Sequence, residues 1–400
     1  MTTSGKHHVL PPPLMTSEPG SFAQQCIVER KPMIIRQALA DHDYPPEIVA
    51  ALKAFRAEIA HQPIRPLTED APDTADWRAA WAEFEGGTWL NVPWYFAEAY
   101  FYRRLLEAVH YFQPGPWWLH DPFARGKAIQ LAETVGPVAL AVEVLGRLED
   151  EAAQLEAWLH ASLWGNRADL SNLTVSDEVR GRQALVEREN LLIDHVPQVR
   201  ERLRKGAFRH IAFINDNTGM ELGFDLCLAD FLLTRGWSER VTFHLKYHPF
   251  FVSDAMVKDV RATVEAFAEA ERSPLQELGM RLQAALAQGR LVLIDDPFWT
   301  TALHFPQMPS RLREALRATD LVISKGDVNY RRLLSDRHWP FTIPTEEVLD
   351  YFPTSLLILR TLKGEILTGV EKEVTERIAA EDPDWLLNGQ RGLIQLVKRG

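Results

Sequence analysis

The stretch FRHIAFINDNTGMELGFDLCLADFLL, residues 208–233, decides the reading of the chain. Ile211 to Ile214 form a short apolar run, of the length expected of a strand buried on both faces. The run stops at Asn215, Asp216, Asn217, Thr218 and Gly219, all turn formers. Leu222, Leu226, Ala229, Phe231 and Leu232 then share one broad helical face. The pattern is strand, tight polar turn, helix. In open α/β sheets, ligands gather at the carboxyl ends of strands, beside helix N-termini. That place holds Asp216, Asn217 and, one turn into the helix, Glu221. Such oxygen donors suit a hard divalent cation. By itself the Asp-Asn-Thr-Gly turn also reads as a helix N-cap with a glycine turn, so the flanking chain has to decide.

Downstream, the same texture repeats. Short β-type runs fall at 211–214, 241–245, 291–294, 321–323 and 355–359, with helical patterns at 219–234, 254–287 and 310–318. That alternation predicts parallel strands joined by right-handed crossovers, a three-layer α/β/α core with a Rossmann-like parallel sheet over residues 205–400. Upstream, residues 16–204 read as a mainly helical domain, and residues 1–15, with Pro11 to Pro13, as a flexible lead-in. The helical signals there are 22–39, interrupted near Pro32; 94–112, rich in aromatics; 127–163; and 176–196, with Ser176 as its N-cap. Residues 62–76 read as a loop.

The composition, 46% hydrophobic and 25% charged, is that of a globular protein. A net charge of −11 argues against general binding to nucleic acid or an anionic membrane. No window reads as a membrane span or a signal peptide. Cys26 and Cys227 alone allow neither a disulfide framework nor a zinc quartet, and a reducing, cytoplasmic setting is expected. The oligomeric state is left open.

Parallel strands bring their following segments to one edge of the sheet. After the five runs come, in order, Asp216-Asn217; Lys246 through Asp254; Asp295-Asp296; Lys325 through Arg331; and Arg360 through Lys363. Acids arrive first and bases later, and the chemistry this suggests is phosphoryl. Asp216, Asn217 and Asp254 would hold one divalent ion, with Asp216 and Asp254 central to catalysis. Lys325, Arg331, Arg360 and Lys363 would take the phosphate charge. Gly326 would let the backbone approach a ligand, and Asp327 and Asn329 would bind substrate hydroxyls. Taken singly, Asp254 also reads as an N-cap and Lys325 as a solvated lysine. Asp295, Asp296 and His248 read as turn and loop residues and stay outside the set. There is no P-loop, no Asp-x-Asp (position 218 is Thr) and no glycine-rich nucleotide turn.

NDNTGMELGFDLCLADFLL at 215–233, FFVSDAMVKD at 250–259, ISKGDVNYRRLLSD at 323–336 and RTLK at 360–363 together resemble the domain-of-unknown-function 89 (DUF89) family. Within it the sequence looks like the branch of the damage-control phosphatases with the acidic-residue methyltransferase, subfamily III. The likeness extends to SFA at 21–23, AEAYFYRR at 97–104, DPFARGK at 121–127 and LWGNRADLS at 163–171. The resemblance implies a helical part on a Rossmann-like core and hydrolysis of small phosphate esters such as fructose 1-phosphate, supported by Mn²⁺, Co²⁺, Ni²⁺ or Mg²⁺. It implies Asp216, Asn217 and Asp254 as metal ligands. Substrate contacts would fall on Asp327, Val328, Asn329, Tyr330, Arg331 and Lys363. Glu221 matches a position assigned to S-adenosylmethionine. The leading expectation is therefore a metal-dependent sugar-phosphate phosphatase. The alternatives are an S-adenosylmethionine-dependent protein-glutamate methyltransferase, for which no glycine-rich turn is present, and a non-catalytic sugar-phosphate binder.

Overall fold

The computed structural model describes residues 9–165, 189–204, 206 and 208–399. Its sheet contains β1 (Leu191–Asp194), β2 (Phe208–Ile214), β3 (Ser238–Leu245), β4 (Leu291–Asp295), β5 (Leu321–Lys325), β6 (Leu356–Thr361) and β7 (Gly392–Val397), in the order β1-β7-β6-β5-β2-β3-β4. The five strands expected from the sequence are the five contiguous parallel ones, β2 to β6, with β4 at one edge of the sheet. They are extended by two strands the reading did not count: β7 runs antiparallel to β6, and β1 runs parallel to β7. The sheet is thus mixed and mostly parallel. β1 falls where a helix over 176–196 was expected, and the Ser176 cap lies outside the described residues.

Alternation along each strand builds two cores. In β2, Ile211 and Phe213 enter one apolar cluster while Ala212 and Ile214 enter the other, as a pleat with both faces covered requires. The helices are α1 (Phe22–Gln25), α2 (Lys31–Asp41), α3 (Pro46–His61), α4 (Thr74–Ala82), α5 (Trp94–Ala108), α6 (Ala124–Leu145), α7 (Glu151–Trp164), α8 (Val196–Arg204), α9 (Met220–Thr234), α10 (Val257–Ala268), α11 (Ser273–Ala287), α12 (Ser310–Arg317), α13 (Asp327–Leu333), α14 (Thr345–Val348) and α15 (Lys372–Glu381). One face of the sheet carries α6, α7, α9, α10 and α11; the other carries α12, α13 and α15. A third cluster joins α2, α3 and α5 to Phe250, in the loop after β3. The helical patterns expected at 127–163 and 254–287 are each broken into two helices.

By length and composition α6 would suffice to cross a membrane, contrary to the sequence reading. In the fold it lies in the outer layer against α9, α10 and α11.

The crossing of α10 and α11 depends on Gly279. A Cβ there would stand 2.2 Å from Ala268 N and 2.6 Å from the Phe267 carbonyl carbon. Both are backbone atoms and cannot swing aside. Gly279→Ala is expected to destabilise the protein by about 1–3 kcal/mol, read as a lower urea midpoint at constant m-value.

Candidate functional site

The parallel order β4-β3-β2-β5-β6 reverses direction between β2 and β5, which is where open α/β sheets bind ligands. The turns after β2 and β5 therefore face each other. The β2 turn is laced to the one after β3. Thr218 N donates to Ser253 O at 2.7 Å, Ala255 N donates to Asp216 O at 2.8 Å, and Asn217 and Asp254 form an isolated antiparallel bridge. This lacing gathers Asp216, Asn217 and Asp254 from two crossovers.

Burial and like charge dominate here. Asp216 and Asp254 are 6% and 1% exposed. Burial first, then Asp254 and Glu221, hold the Asp216 carboxyl well above the usual carboxylate range. Burial also raises Asp254, against the pull of Lys246 and Lys127. Lys246 Nζ pairs with Asp254 Oδ2 at 3.1 Å, and among the described residues that buried oxygen has no other hydrogen-bond partner. Asn217 Nδ2 donates to Asp216 Oδ2 at 2.7 Å and to Glu221 Oε2 at 3.1 Å. Ser253 Oγ donates to Asn217 Oδ1 at 2.6 Å, fixing the amide. Crowded buried carboxylates with an under-satisfied oxygen fit a hard divalent cation. Among the described residues no cluster of three or more His, Cys, Asp or Glu is arranged to hold a metal. The donors are two carboxylates and an amide, a set that leaves room for water ligands.

Gly326 closes the other side. Its φ is +81°, and a Cβ there would stand 2.0 Å from Asp216 Oδ2. Only glycine lets the β5 turn approach Asp216 this closely. The next residue, Asp327, accepts from Arg360 Nε at 2.8 Å and from the Lys363 backbone N at 3.2 Å. Between the turns lies a cavity of about 180 Å³ whose walls include Asp216, Asn217, Glu221, Asp254, Asp327, Val328, Arg331 and Lys363.

Four residues expected at the substrate point elsewhere. Lys325 is buried against α7, bonded to the Ser162 carbonyl and, at 2.7 Å, to its hydroxyl; it lies 3.0 Å from Asp225 and 3.6 Å from Glu221. Asn329 donates to the carbonyls of Asn215 and Lys325 and ties the two turns together. Tyr330 bonds Thr368 in the core. Arg360 stacks 4.1 Å from the Tyr330 ring, pairs with Asp327 and donates to the Gly364 and Ile366 carbonyls. These side chains support the site from behind. Arg331 lines the cavity but is held by Asp336 and Glu98 and stacks on Trp94 at 3.3 Å. Asp296 accepts from Phe298 N in the turn after β4, and burial lowers His248 to about 4; neither residue lines the cavity.

The sequence reading missed the wall supplied by the helical half: Phe22, Cys26, Arg30, Trp94 and Glu98. Burial alone would raise the Glu98 carboxyl, but Lys31 and Arg331 bring it down to about 2. Cys26–Arg30 is a π turn, a form frequent at functional sites and the one local signal available.

A family model described as the damage-control phosphatase ARMT1-like domain matches residues 26–378. The Danio rerio protein named damage-control phosphatase ARMT1 is 30% identical, over 97% of this chain and 97% of its own length. The Homo sapiens protein of that name is 29% identical, over 97% and 98%. The crystal structure of a DUF89 family protein from Pyrococcus horikoshii aligns with a TM-score of 0.51 at 16% identity, covering 94% of this chain and 98% of that one. That last likeness is one of fold.

Proposed function

Since the chain belongs to the damage-control phosphatase ARMT1-like family, we propose that it is a metal-dependent phosphatase of small phosphate esters, sugar phosphates such as fructose 1-phosphate among them. The observation that carries this reading is the meeting of Asp216, Asn217 and Asp254 in one cavity with Lys363. Asp216, Asn217 and Asp254 would hold Mn²⁺, Co²⁺, Ni²⁺ or Mg²⁺, which when bound polarises the phosphoryl group and lowers the pKa of a water. Lys363 offers charge to the phosphate. Asp327, held by Arg360, presents carboxylate oxygen to substrate hydroxyls, and Arg331 braces the wall through Asp336 and Glu98. The cavity, about 180 Å³, is smaller than the roughly 300–1,000 Å³ that houses drug-sized ligands. This favours a compact phosphometabolite over S-adenosylmethionine. Both cysteines are buried thiols, which suits the cytoplasmic setting proposed for the enzyme.

The test is phosphate release over a panel of phosphometabolites with the metal varied. Turnover of fructose 1-phosphate should vanish in EDTA and return with Mn²⁺, Co²⁺ or Ni²⁺. Full activity in EDTA would reject the reading.

A further inference from the structure

Among the described residues, the following six cations around the site are each matched to a carboxylate. Lys31 lies 2.8 Å from Glu98, Lys127 2.9 Å from Asp259 and Lys246 3.1 Å from Asp254. Lys325 lies 3.0 Å from Asp225, while Arg331 and Arg360 lie 2.7 Å from Asp336 and Asp327. A phosphate gains little from cations already neutralised by carboxylates at that range. Two cations of the cavity wall differ. Arg30 and Lys363 are exposed and line the cavity, and among the described residues neither has a carboxylate within 4.0 Å.

Lys363 comes from the sheet half and Arg30 from the helical half. The π turn explains why Arg30 faces inward. Lys31 N donates to Cys26 O, a bond one residue longer than an α-helical one. The extra residue shifts the helix phase, so Cys26 and Arg30 both reach the cavity while the adjacent Lys31 is buried against Glu98.

We propose that Arg30 is a substrate-binding and specificity-determining residue that, together with Lys363, receives the phosphate dianion of the substrate. The proposal rests on the phosphatase reading and names the cations that reading uses. A planar guanidinium suits bidentate contact with phosphate oxygens. The active site is then completed by the helical half.

The experiment compares wild type, Arg30→Met and Arg30→Lys. Inorganic phosphate binding is measured by calorimetry on metal-free and Mn²⁺-loaded protein, and kcat and KM are measured on fructose 1-phosphate. In Arg30→Met, both the phosphate Kd and KM should rise about tenfold, the scale of one lost charge-assisted contact, with kcat changing less. Arg30→Lys, which keeps the charge but not the planar fork, should recover only part of the phosphate binding. Unaltered phosphate affinity in Arg30→Met overturns the proposal even if the wild type is an active phosphatase. Conversely, lost phosphate affinity in Arg30→Met beside a wild type that hydrolyses no ester sinks the phosphatase reading and leaves the Arg30 contact standing. Thermal melts check folding, and Arg30→Gln replaces the Met variant if that one is unfolded.

Discussion

Asp254→Asn is expected to lower phosphate-ester turnover by about a thousandfold, or about 4 kcal/mol of barrier, the scale of a lost metal contribution. The same change should not weaken the metal-free fold. Burial raises the carboxyl of Asp254, so between the unfolded carboxylate pKa (about 3.9) and the folded one, the folded chain binds more protons than the unfolded. Stability contributed by this group therefore falls as pH rises through that window, and at neutral pH its charge is a burden. Asparagine removes the burden and relieves Asp216, which Asp254 also pushes upward. In EDTA, the variant should melt at or above the wild-type temperature. In Mn²⁺ the order should invert, because only the wild type gains the stabilisation that comes with binding. Paired melts and assays decide the matter. A variant equally active, or equally stabilised by Mn²⁺, removes Asp254 from the site.

Gly326→Ala should cost about a hundredfold or more in activity, the scale of an ångström's misplacement of a reacting group. Its φ of +81° and ψ of 172° lie in a region essentially reserved for glycine, at a cost of order 1–3 kcal/mol for other residues. The added methyl would also stand 2.0 Å from Asp216 Oδ2 and 2.3 Å from its Cγ. Asp216 must then turn out of the cavity. Gly20→Ala separates strain from collision, because Gly20 has φ +75° with nothing within 4 Å of its would-be Cβ. That variant should lose some stability and keep its activity. If Gly326→Ala behaves like Gly20→Ala, the close approach of the two turns has no functional meaning.

The central strands were legible because their apolar runs are short, unbroken and bounded by turn residues, as at Ile211–Ile214. β7 was hidden by Gln395, a polar residue inside the run that is buried and bonded to Thr345 Oγ1 at 2.8 Å. β1 is only four residues long, and one of them is Asp194. At the site, sequence order located the turns but not the direction of each side chain. Lys325, the last residue of β5, faces α7 and Ser162, whereas Asp327, two positions on and already in α13, reaches the cavity. Arg360 likewise looked like a phosphate ligand because a cation ends the strand; its partner Asp327 is visible only in space. Arg30 gave no signal in the sequence, since the π turn that carries it is seen only in the structure. Its role depends on helix phase and on a cavity wall assembled from segments more than three hundred positions apart along the chain, from Phe22 to Leu387.

The placement of β7 has a consequence for how the molecule is made. Gly392–Val397 is the last of the seven strands to be synthesised, yet it lies between β1 and β6 rather than at an edge. β1, produced some two hundred residues earlier, has no sheet neighbour until β7 arrives. Ribosome-bound nascent chain can lay down the five parallel strands in turn, but the leading segment must wait, its pairing groups open to solvent or to a chaperone, until translation of the final strand completes the layer.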